Sequence, residues 1–515
     1  MKQTYNELKE AFEAYQQGTL TSDKLKPIAA PYGIYEQRNG LFMLRIRVTG
    51  GVIACEALKR IADLLEQEGG YAHLTSRQDI QIHDVPAEKA PRFIAFCDNL
   101  GLPFKGGGGN TYRNIVASAY SGVSADSLFD VYPYSLALNQ ALQASDKALQ
   151  LPRKLKIGVF ASDAERLTAA VQDIGFLAAQ QGGKEGFTVY VGGGMGRDST
   201  IGLKLFEFLL AEEIIRVAMA GMELFHDHGD RANRNQARIR FLLRRLGDEV
   251  FTKLFLEYYE QAKMRYPQLL RSQSPTQPTP SITTPLAPAH AALKGIETWQ
   301  AIAVSPTRFG EDQVSVRLFV PYGDLCANEL RQVADLALHC GLDALTLLPS
   351  QDLLMTSVHR SWLPAIYQVL SQQLAGIDLR LTSYKGHILA CVGATVCKIG
   401  MVDSSAVADA IAKELDRYLP ADTPEKVNLL RIVADEVRIS GCPNACSGHP
   451  VARLGIGCVN QKIEGEIRPH AQLFCDAGVT NGQPRLAAAS GGVDPIEAIV
   501  AQVIDQLTSW AHLTK

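Results

Sequence analysis

The spacing of apolar residues along the chain predicts both helices and strands. Helical spacing runs through the polar opening segment, residues 1–17, and through the closing segment "PIEAIVAQVIDQLTSWAHL", residues 495–513. It also predicts one long helix in "TIGLKLFEFLLAEEIIRVAMA", residues 200–220. In contrast, "GFTVYVGGG", residues 186–194, predicts a strand that ends in a glycine turn. Together these elements predict a fold of the α+β class.

The same pattern occurs twice, once in each half of the chain. Each half has a strand followed by a turn, then an amphipathic helix, then a second strand. The matching segments are "RIRVTGG" (45–51) with "RLFVPYG" (317–323), "LKRIADL" (58–64) with "LRQVADL" (330–336), and "SRQDIQIHDV" (76–85) with "PSQDLLMTSV" (349–358). The chain is therefore predicted to contain an internal duplication.

A weaker match extends the duplication. The segments are "TYRNI" (111–115) with "TVCKI" (395–399), and "LKIGVF" (155–160) with "VRISGC" (437–442). This alignment makes Arg113 and Cys397 equivalent. It predicts that the first copy supplies basic and amide side chains and that the second supplies thiols.

Composition and charge narrow the class of function. No stretch approaches 18 consecutive apolar residues and the opening segment has no hydrophobic signal core, so we expect a cytoplasmic protein with no membrane partner. The net charge of −3 gives no reason to expect a nucleic-acid partner. Residues 273–290, rich in Ser, Thr and Pro, predict a linker between the halves.

Ten cysteines in 515 residues are too few for a disulfide scaffold. Six stand singly in mostly apolar surroundings, where we expect buried thiols: Cys55, Cys97, Cys326, Cys340, Cys458 and Cys475. The other four form two pairs, Cys391 with Cys397 and Cys442 with Cys446, among Gly, Pro, Asn and Ser. Grouped cysteines in such loops are more often metal ligands or catalysts than core residues.

Four thiolates in two pairs suit either a zinc ion or a [4Fe-4S] cluster. Structural zinc normally takes pairs with two residues between them, whereas five and three residues lie between these cysteines. The wider spacing favours the cluster. The third alternative, four unrelated buried thiols, is disfavoured by the polar surroundings of both pairs.

The two pairs, the second inside "GCPNAC", resemble the signature of the siroheme and [4Fe-4S] reductases of sulfite and nitrite, and are most similar to the assimilatory sulfite reductase branch. Further motifs follow in the order which that family shows: "FMLRIRVTGG" (42–51), "LTSRQDIQIH" (74–83), "GNTYRNI" (109–115), "LPRKLK" (151–156) and "VGGGMG" (191–196). The resemblance covers nearly the whole chain. It implies an α+β fold with pseudo-twofold duplication, built from ferredoxin-like half-domains and two siroheme- and cluster-binding domains.

On this resemblance we divide the chain into five predicted parts. They are a first half-domain with its N-terminal segment and following helical region (1–145), a first siroheme-binding domain (146–272), a linker (273–295), a second half-domain (296–385), and a domain that binds the cluster and siroheme (386–515).

The resemblance also implies a role for individual residues. Cys391, Cys397, Cys442 and Cys446 would hold the cluster, with Cys446 also bridging to the siroheme iron. Arg45, Arg113, Lys154 and Lys156 match the anion-binding residues of the family. We expect both lysines on one face of a strand, because side chains alternate along strands.

Siroheme carries several carboxylates, which need basic and hydrogen-bonding partners. Four residues of the first copy are predicted to supply them from one strand face: Thr75, Arg77, Gln81 and His83. The matching residues of the second copy have lost most of this chemistry: Leu348, Ser350, Leu354 and Thr356. His73 departs from the family, which often has Arg there. In the arginine-rich segment 230–247, either Arg234 or Arg240 is expected to reach a carboxylate.

Two glycine runs lack the third glycine of a dinucleotide-binding loop: "GGGGN" (106–110) and "VGGGMGR" (191–197). They are interpreted as places where the backbone passes close to the macrocycle.

The resemblance implies six-electron reduction of sulfite to sulfide. Nitrite reduction to ammonia on the same cofactors is the alternative, but that branch typically has Asn in place of the second lysine, whereas Lys156 is present here. A non-catalytic iron-sulfur carrier or redox sensor is a further alternative. With no flavin or nicotinamide motif in the sequence, we expect electrons from a separate ferredoxin or flavoprotein subunit.

Overall fold

The computed structural model describes residues 2–102, 105–268, 293–372, 380–381, 383–418 and 423–511. Of the predicted linker, residues 273–295, only residues 293–295 are among the described residues. The described residues divide into two half-domains and two lobes, which alternate along the chain.

The first half-domain runs from residue 2 to residue 102. Its elements are α1 (Lys2–Gln16), α2 (Ser22–Ala29), β1 (Ile34–Glu36), β2 (Phe42–Arg47), β3 (Val52–Ala54), α3 (Cys55–Glu68), β4 (Tyr71–Leu74), β5 (Asp79–Val85) and α4 (Ala90–Asn99).

The first lobe runs from residue 111 to residue 268. Its elements are β6 (Val116–Ala117), α5 (Tyr132–Gln143), β7 (Ile157–Phe160), α6 (Arg166–Ala170), β8 (Ile174–Gln181), β9 (Lys184–Val191), β10 (Leu203–Leu210), α7 (Ile214–His228), α8 (Ile239–Leu246) and α9 (Asp248–Arg265).

The second half-domain repeats the first. Its elements are α10 (Ile296–Ala303), β11 (Val304–Thr307), β12 (Gly310–Leu318), β13 (Asp324–Leu325), α11 (Ala327–His339), β14 (Ala344–Leu347), β15 (Leu353–His359) and α12 (Leu363–Gln372).

The second lobe completes the described chain. Its elements are β16 (Leu389–Ala390), α13 (Gly393–Val396), α14 (Ser404–Tyr418), α15 (Pro424–Glu436), β17 (Val437–Ser440), β18 (Leu454–Ile463), β19 (Glu466–Cys475), β20 (Gly478–Thr480), β21 (Gln483–Arg485), β22 (Ala488–Pro495) and α16 (Ile496–Trp510).

The half-domains exchange one strand each. The first sheet has the order β1-β2-β5-β4-β13, and the second has the order β11-β12-β15-β14-β3. Strand β13 of the second copy thus closes the first sheet, and β3 of the first copy closes the second sheet. Helices α3 and α11, which follow these strands, pack against each other. The predicted duplication is confirmed, and its two copies are interlocked.

The two lobes also share one topology. The first lobe has the order β10-β9-β8-β7-β6, and the second has the order β22-β19-β18-β17-β16. In each lobe the three strands that come first in the chain, β6 to β8 or β16 to β18, pair in parallel, and the remaining pairings are antiparallel. Strand β6 joins the first lobe although it precedes the predicted division at residue 145.

The register of the lobes corrects the weaker sequence match. Ser118 N donates to Val159 O and Cys391 N donates to Ile439 O, each at 3.1 Å. Ser118 Oγ then accepts from Ala161 N, and Cys391 Sγ accepts from Gly441 N. Ser118 is therefore the structural counterpart of Cys391, and Val159 that of Ile439. The predicted equivalence of Arg113 and Cys397 was wrong, because Arg113 lies five residues before Ser118 whereas Cys397 lies six residues after Cys391. The alignment of "LKIGVF" was also shifted, by two residues.

Turn geometry repeats between the half-domains. Gln78 and Gln351 both have positive φ, at 56° and 70°. Each is followed by an aspartate that lies at the start of a strand or directly before it. Gly51 and Gly323 likewise have φ of 79° and 75°. A Cβ on Gly51 would lie 2.8 Å from Leu347 O, so a larger residue does not fit there.

Three other sequence-based expectations differ from the structure. Residues 200–220 form strand β10 and helix α7, because the first part pairs with β9. Strand β5 begins at Asp79, so residues 76–78 are a turn. Cys326 is exposed and Cys475 half-buried, whereas the other four single cysteines are buried as expected. Cys326 is exposed because it caps the N-terminus of α11.

One hydrophobic core runs through both half-domains and the second lobe, from Leu8 to Ala511. A separate core fills most of the first lobe, and a smaller cluster there includes Phe160 and Tyr190. No helix of the described residues is long and apolar enough to cross a membrane.

Candidate active site and cofactor-binding residues

The two cysteine loops lie side by side at the end of the sheet in the second lobe. Cys391 follows β16 and Cys442 follows the neighbouring parallel strand β17. Gly441 N donates to Cys391 Sγ at 3.2 Å, and Gly441 O accepts from Met401 N and Val402 N. Cys397 directly follows the short helix α13, which lies between Cys391 and Met401 in the chain. The loops that the sequence places 45 or more residues apart therefore meet, as the cluster hypothesis requires.

Two of the four thiols, Cys391 and Cys442, are influenced electrostatically by the others. Burial raises the pKa of Cys442 to about 11, with further contributions from Cys446, Cys391 and Cys397. Burial and then Cys446 raise the pKa of Cys391. All ten cysteines are free thiols. Among the described residues no group of three or more His, Cys, Asp or Glu is arranged around a single metal-ion position. Iron bound to these sulfurs would replace their protons.

The glycine run at 106–109 holds two of the candidate anion-binding arginines. Arg45 Nη1 donates to Gly107 O at 2.9 Å. Arg113 Nη1 and Nη2 donate to Gly108 O and Gly109 O at 2.9 and 2.8 Å. A Cβ on Gly108 would lie 2.2 Å from Ala30 O, so this carbonyl loop packs directly on the first half-domain. The run binds side chains through its carbonyls, a role that the sequence did not predict.

Lys154 and Lys156 flank the buried Leu155 in an extended segment just before β7, rather than within a strand. Burial, Arg238, Arg113 and Arg153 lower the pKa of Lys154 to about 7. Burial, then Arg77, Lys154 and Arg238, lower the pKa of Lys156 well below its usual range. In both cases Cys446 acts in the opposite direction. The two lysines are therefore close enough to both the arginines and Cys446, the cysteine predicted to bridge the cofactors, to be influenced by the charge of each.

Of the residues predicted to bind siroheme, Thr75 and Arg77 lie in the turn between β4 and β5. Thr75 Oγ1 accepts from Asp79 N at 2.9 Å and thereby closes the turn. Arg77 donates to Gln172 Oε1, Asn114 O and Ile157 O in the first lobe, while its Nε has no hydrogen-bond partner among the described residues. Burial lowers the pKa of Arg77 to about 10.

Gln81 and His83 share one face of β5. With the Gln81 amide oriented so that its nitrogen donates to His83 Nε2 (2.9 Å), its oxygen accepts from Arg45 Nη2 (2.5 Å). His83 is then protonated at Nδ1, which is buried without a described hydrogen-bond partner. The ring stacks on Tyr71 at 5.1 Å. Burial, His73 and Arg45 lower the pKa of His83 to about 2, so the imidazole is neutral.

The arginine-rich segment contributes two buried side chains. Arg238 makes a bidentate ion pair with the fully buried Asp173, at 2.8 and 2.9 Å, and Asp173 Oδ2 also accepts from Lys156 N at 2.7 Å. Arg240 lies against Gly194 and donates to Met195 O at 3.4 Å. Arg234, the other candidate, is exposed.

Positive charge accumulates between the first half-domain and the first lobe. Two buried carboxylates, Asp79 and Asp173, lie among a larger set of basic side chains: Arg45, Arg47, Arg77, Arg113, Arg153, Lys154, Lys156, Arg238 and Arg240. Burying unbalanced charge is costly unless a counter-ion binds. The donors of Arg47, Arg77 Nε, Arg240 Nε and His83 Nδ1 are buried without hydrogen-bond partners among the described residues. These residues fit a flat ligand with several carboxylates.

Sequence reasoning missed four contributors to this site. Arg47 is fully buried, with its guanidinium 4.6 Å from the ring centre of Tyr112. Arg238 and Asp173 form the ion pair described above. Ser76 Oγ donates to Cys446 O at 2.8 Å. The "RIR" motif was a signal for Arg47, and the arginine-rich segment was a signal for Arg238. His73, the residue that departs from the family pattern, has its Nδ1 2.6 Å from Asp324 Oδ1. This contact connects the two half-domains.

Two family models match the chain. "Nitrite/Sulfite reductase ferredoxin-like half domain" matches residues 35–98, and "Nitrite and sulphite reductase 4Fe-4S domain" matches residues 108–263. The matched segments are the first half-domain and the first lobe. The second half-domain and second lobe, which carry the four cysteines, repeat the same topology.

Individual proteins are similar over most of the chain. "Ferredoxin--nitrite reductase" of Synechococcus elongatus is 26% identical over 84% of this chain and 80% of its own length. "Sulfite reductase [NADPH] hemoprotein beta-component" of Acidithiobacillus ferrooxidans is 27% identical over 81% of this chain and 74% of its own. Because these relatives are enzymes, we set aside the alternative of a non-catalytic carrier.

A solved structure shares the whole architecture. The Mycobacterium tuberculosis NirA protein superposes with a TM-score of 0.77 at 18% identity, and the match covers 99% of this chain and 94% of that one. It confirms the predicted α+β architecture. The family models over residues 35–98 and 108–263 show that the chain contains the ferredoxin-like half domain and the 4Fe-4S domain of nitrite and sulfite reductases, and this combination implies siroheme and a [4Fe-4S] cluster as cofactors.

Proposed function

We propose that this chain reduces sulfite to sulfide, and that Arg45, Arg113, Lys154 and Lys156 bind the substrate. The observation that carries the proposal is the excess of buried positive charge around Lys156, whose pKa is lowered by burial and by Arg77, Lys154 and Arg238. A dianion such as sulfite neutralises more of this charge than monoanionic nitrite does. Fixed cationic donors also stabilise the negative charge that develops as oxygen leaves.

The chain's own residues would bind and orient the anion and supply protons. Arg45 and Arg113 are held by glycine carbonyls, so their guanidinium groups need little reorganisation to bind an anion. Reduction of the sulfite dianion to hydrogen sulfide anion consumes six electrons and seven protons and releases three waters. Lys154, with a pKa of about 7, can release and regain a proton near neutral pH.

We further propose that Cys391, Cys397, Cys442 and Cys446 hold the cluster, with Cys446 also reaching the siroheme iron. Siroheme and the cluster, when bound, would supply the one-electron redox chemistry that reduction of the anion requires. The siroheme carboxylates would be bound by Arg77, His83 and Arg240, each of which has a buried nitrogen without a hydrogen-bond partner among the residues that the structure describes. Thr75 and Gln81 support this surface through the turn and through Arg45.

Nitrite reduction to ammonia is the second candidate. It is favoured by the names of several relatives, which include ferredoxin-dependent nitrite reductases of Synechococcus elongatus and Zea mays. The same names support ferredoxin as the electron donor of this chain, and a flavoprotein subunit is the alternative. The cytoplasmic location stays a prediction from the sequence.

Steady-state kinetics with both anions and a chemical one-electron donor test the substrate. We expect the wild-type protein to have a higher kcat/KM for sulfite than for nitrite. Lys156→Asn should lower the sulfite value by about tenfold or more relative to nitrite, since one charge-assisted contact contributes about 1.5–3 kcal/mol.

Lys184→Asn, at the exposed start of β9, is the matched control and should leave both values unchanged. If the wild-type protein prefers nitrite, or if Lys156→Asn leaves the ratio of the two values unchanged, the assignment of sulfite is wrong.

A further inference from the structure

The turn between β4 and β5, residues 75–78, is fixed by three of its four side chains. Thr75 Oγ1 accepts from Asp79 N within the turn. Arg77 bonds to three groups of the first lobe. Gln78 Nε2 donates to Ala117 O in the first lobe and to Leu347 O in the second half-domain, at 3.0 and 2.9 Å. The remaining side chain, Ser76, is therefore presented to the second lobe by a rigid turn.

Ser76 Oγ donates to the backbone carbonyl of Cys446 at 2.8 Å. On the other side of this contact, Ala445 is buried in a left-handed conformation with φ of 54°, which is uncommon for a residue with a Cβ. The buried hydroxyls of Ser440 and Ser447 also bond each other at 2.6 Å across the loop. The backbone at Cys446 is therefore fixed both from its own lobe and from the first half-domain.

The second copy of the fold lacks this contact at both ends. Pro349, which has no hydroxyl, takes the place of Ser76, since Gln78 and Gln351 are structural counterparts. Arg166 takes the place of Cys446, because Ala161 and Gly441 correspond through their bonds to Ser118 and Cys391, and no insertion separates these positions. At this position of the turn, a hydroxyl is therefore present only in the first copy, whose turn contacts the loop that contains Cys446.

We propose that Ser76 is a positioning residue that directs the Cys446 thiolate toward the siroheme iron. The proposal rests on the cofactor roles given under the proposed function. Because the hydroxyl bonds to the carbonyl and not to sulfur, Ser76 acts by fixing the loop and not by changing the electron density on the thiolate. Removing the hydroxyl allows Cys446 to leave the bridging orientation in a fraction of the molecules.

Electron paramagnetic resonance of the loaded enzyme measures this fraction, because a cluster bridged to the haem is magnetically coupled to it. Ser76→Val should raise the uncoupled fraction about fivefold relative to wild type, which corresponds to one neutral hydrogen bond. Ser76→Thr, which has the same shape as Val but retains a hydroxyl, should restore the wild-type fraction. Ser76→Ala provides a smaller variant with the same expected increase as Val.

Ser315→Ala is the control, because Ser315 Oγ also donates to a carbonyl, that of Thr356, at 2.8 Å, but within the second half-domain. It should not change the uncoupled fraction. Equal fractions in Ser76→Val and Ser76→Thr overturn the proposed role of Ser76. A wild-type protein that contains a cluster without siroheme instead overturns the proposed function, so the two failures are distinguishable.

Discussion

Lys154 lies among cations, and its ammonium group is therefore costly to keep charged. Burial and the neighbouring Arg238 are the main reasons that its pKa is lowered to about 7. An anion bound beside Lys154 favours the charged form. Anion binding and protonation of this lysine are thus linked, and the affinity for an anion decreases as Lys154 loses its proton.

We expect the dissociation constant of nitrite, which does not titrate near neutral pH, to rise about fivefold between pH 6.5 and pH 8.5. Binding to the purified enzyme is measured by titration while absorbance is followed. Lys154→Met should weaken binding at pH 6.5 and remove most of this pH dependence. If Lys154→Met retains the wild-type profile, another group is responsible.

Gln81 joins the anion site to the cofactor surface, because its amide contacts both Arg45 and His83. Gln81→Leu, which introduces the residue found in the second copy, should raise the KM for the anion about tenfold with a smaller effect on kcat. It should also release His83 from the Nδ1-protonated tautomer, which is measured by nitrogen NMR of histidine-labelled protein.

Gln472→Leu on β19 is the control for this experiment. A tautomer that is unchanged in Gln81→Leu would show that packing against Tyr71, and not Gln81, selects the proton position.

The sequence predicted the groups whose chemistry is visible in a local pattern. The spacing of Cys391 to Cys446 was sufficient to favour a cluster, and the structure brings the two loops together. Ser76 and Asp173 could not be predicted, because each acts through a residue that is distant in sequence. Their partners, Cys446 and Arg238, become neighbours only when the half-domain and the lobes pack together.

At the scale of elements, the ion pair between Asp173 and Arg238 fixes the start of β8 against the start of α8. Both side chains are buried, and Asp173 Oδ2 also binds Lys156 N. The pair therefore positions the backbone of the lysine segment as well as the helix. Neither residue needs to touch substrate for its loss to affect the site.

Asp173→Asn should lower the free energy of unfolding by about 3 kcal/mol, because it leaves the Arg238 guanidinium buried without its counter-ion. Denaturant titration of the cofactor-free protein measures this change. The double variant Asp173→Leu with Arg238→Met should recover part of the lost stability. A loss below about 1 kcal/mol for the single variant would mean that water compensates for the missing charge.

The sequence predicted the type of an element correctly where its apolar residues follow a single period. The prediction was wrong where pairing with a neighbouring strand determines whether a segment is a helix or a strand. Helices α1 and α16 follow the expected spacing. In contrast, Leu203–Leu210 has an apolar pattern compatible with a helix but adds to the edge of β9 as a strand. A segment of mixed periodicity takes the structure that its neighbours offer, and those neighbours are not visible in a local window.

At the scale of the whole molecule, the two copies depend on each other. Each half-domain sheet is completed by a strand of the other copy, and α3 packs on α11 between them. The repeat was visible in the sequence because both copies retain similar strands and helices. The exchange of strands between the two half-domains was not visible in the sequence, because β3 and β13 are only three and two residues long.

We expect the half-domains in separate fragments of residues 1–272 and 273–515 to lack cooperative unfolding, whereas the first lobe keeps its own core, and we expect the two fragments to associate when they are produced together. Calorimetry and size-exclusion chromatography check this. The control is the full chain cleaved within residues 273–290, which should remain assembled. A half-domain that unfolds cooperatively in its own fragment would show that the exchanged strands are dispensable.

The proposed activity requires that the four thiols and the nearby basic side chains form one centre. The most direct measurement is the iron, acid-labile sulfide and siroheme content of the purified enzyme, together with its absorption spectrum. We predict about five iron atoms, four sulfides and one siroheme per chain, with a chlorin-like red band, and loss of the coupling between the two cofactors in Cys446→Ser. One zinc ion per chain, or a cluster without siroheme, would contradict the account.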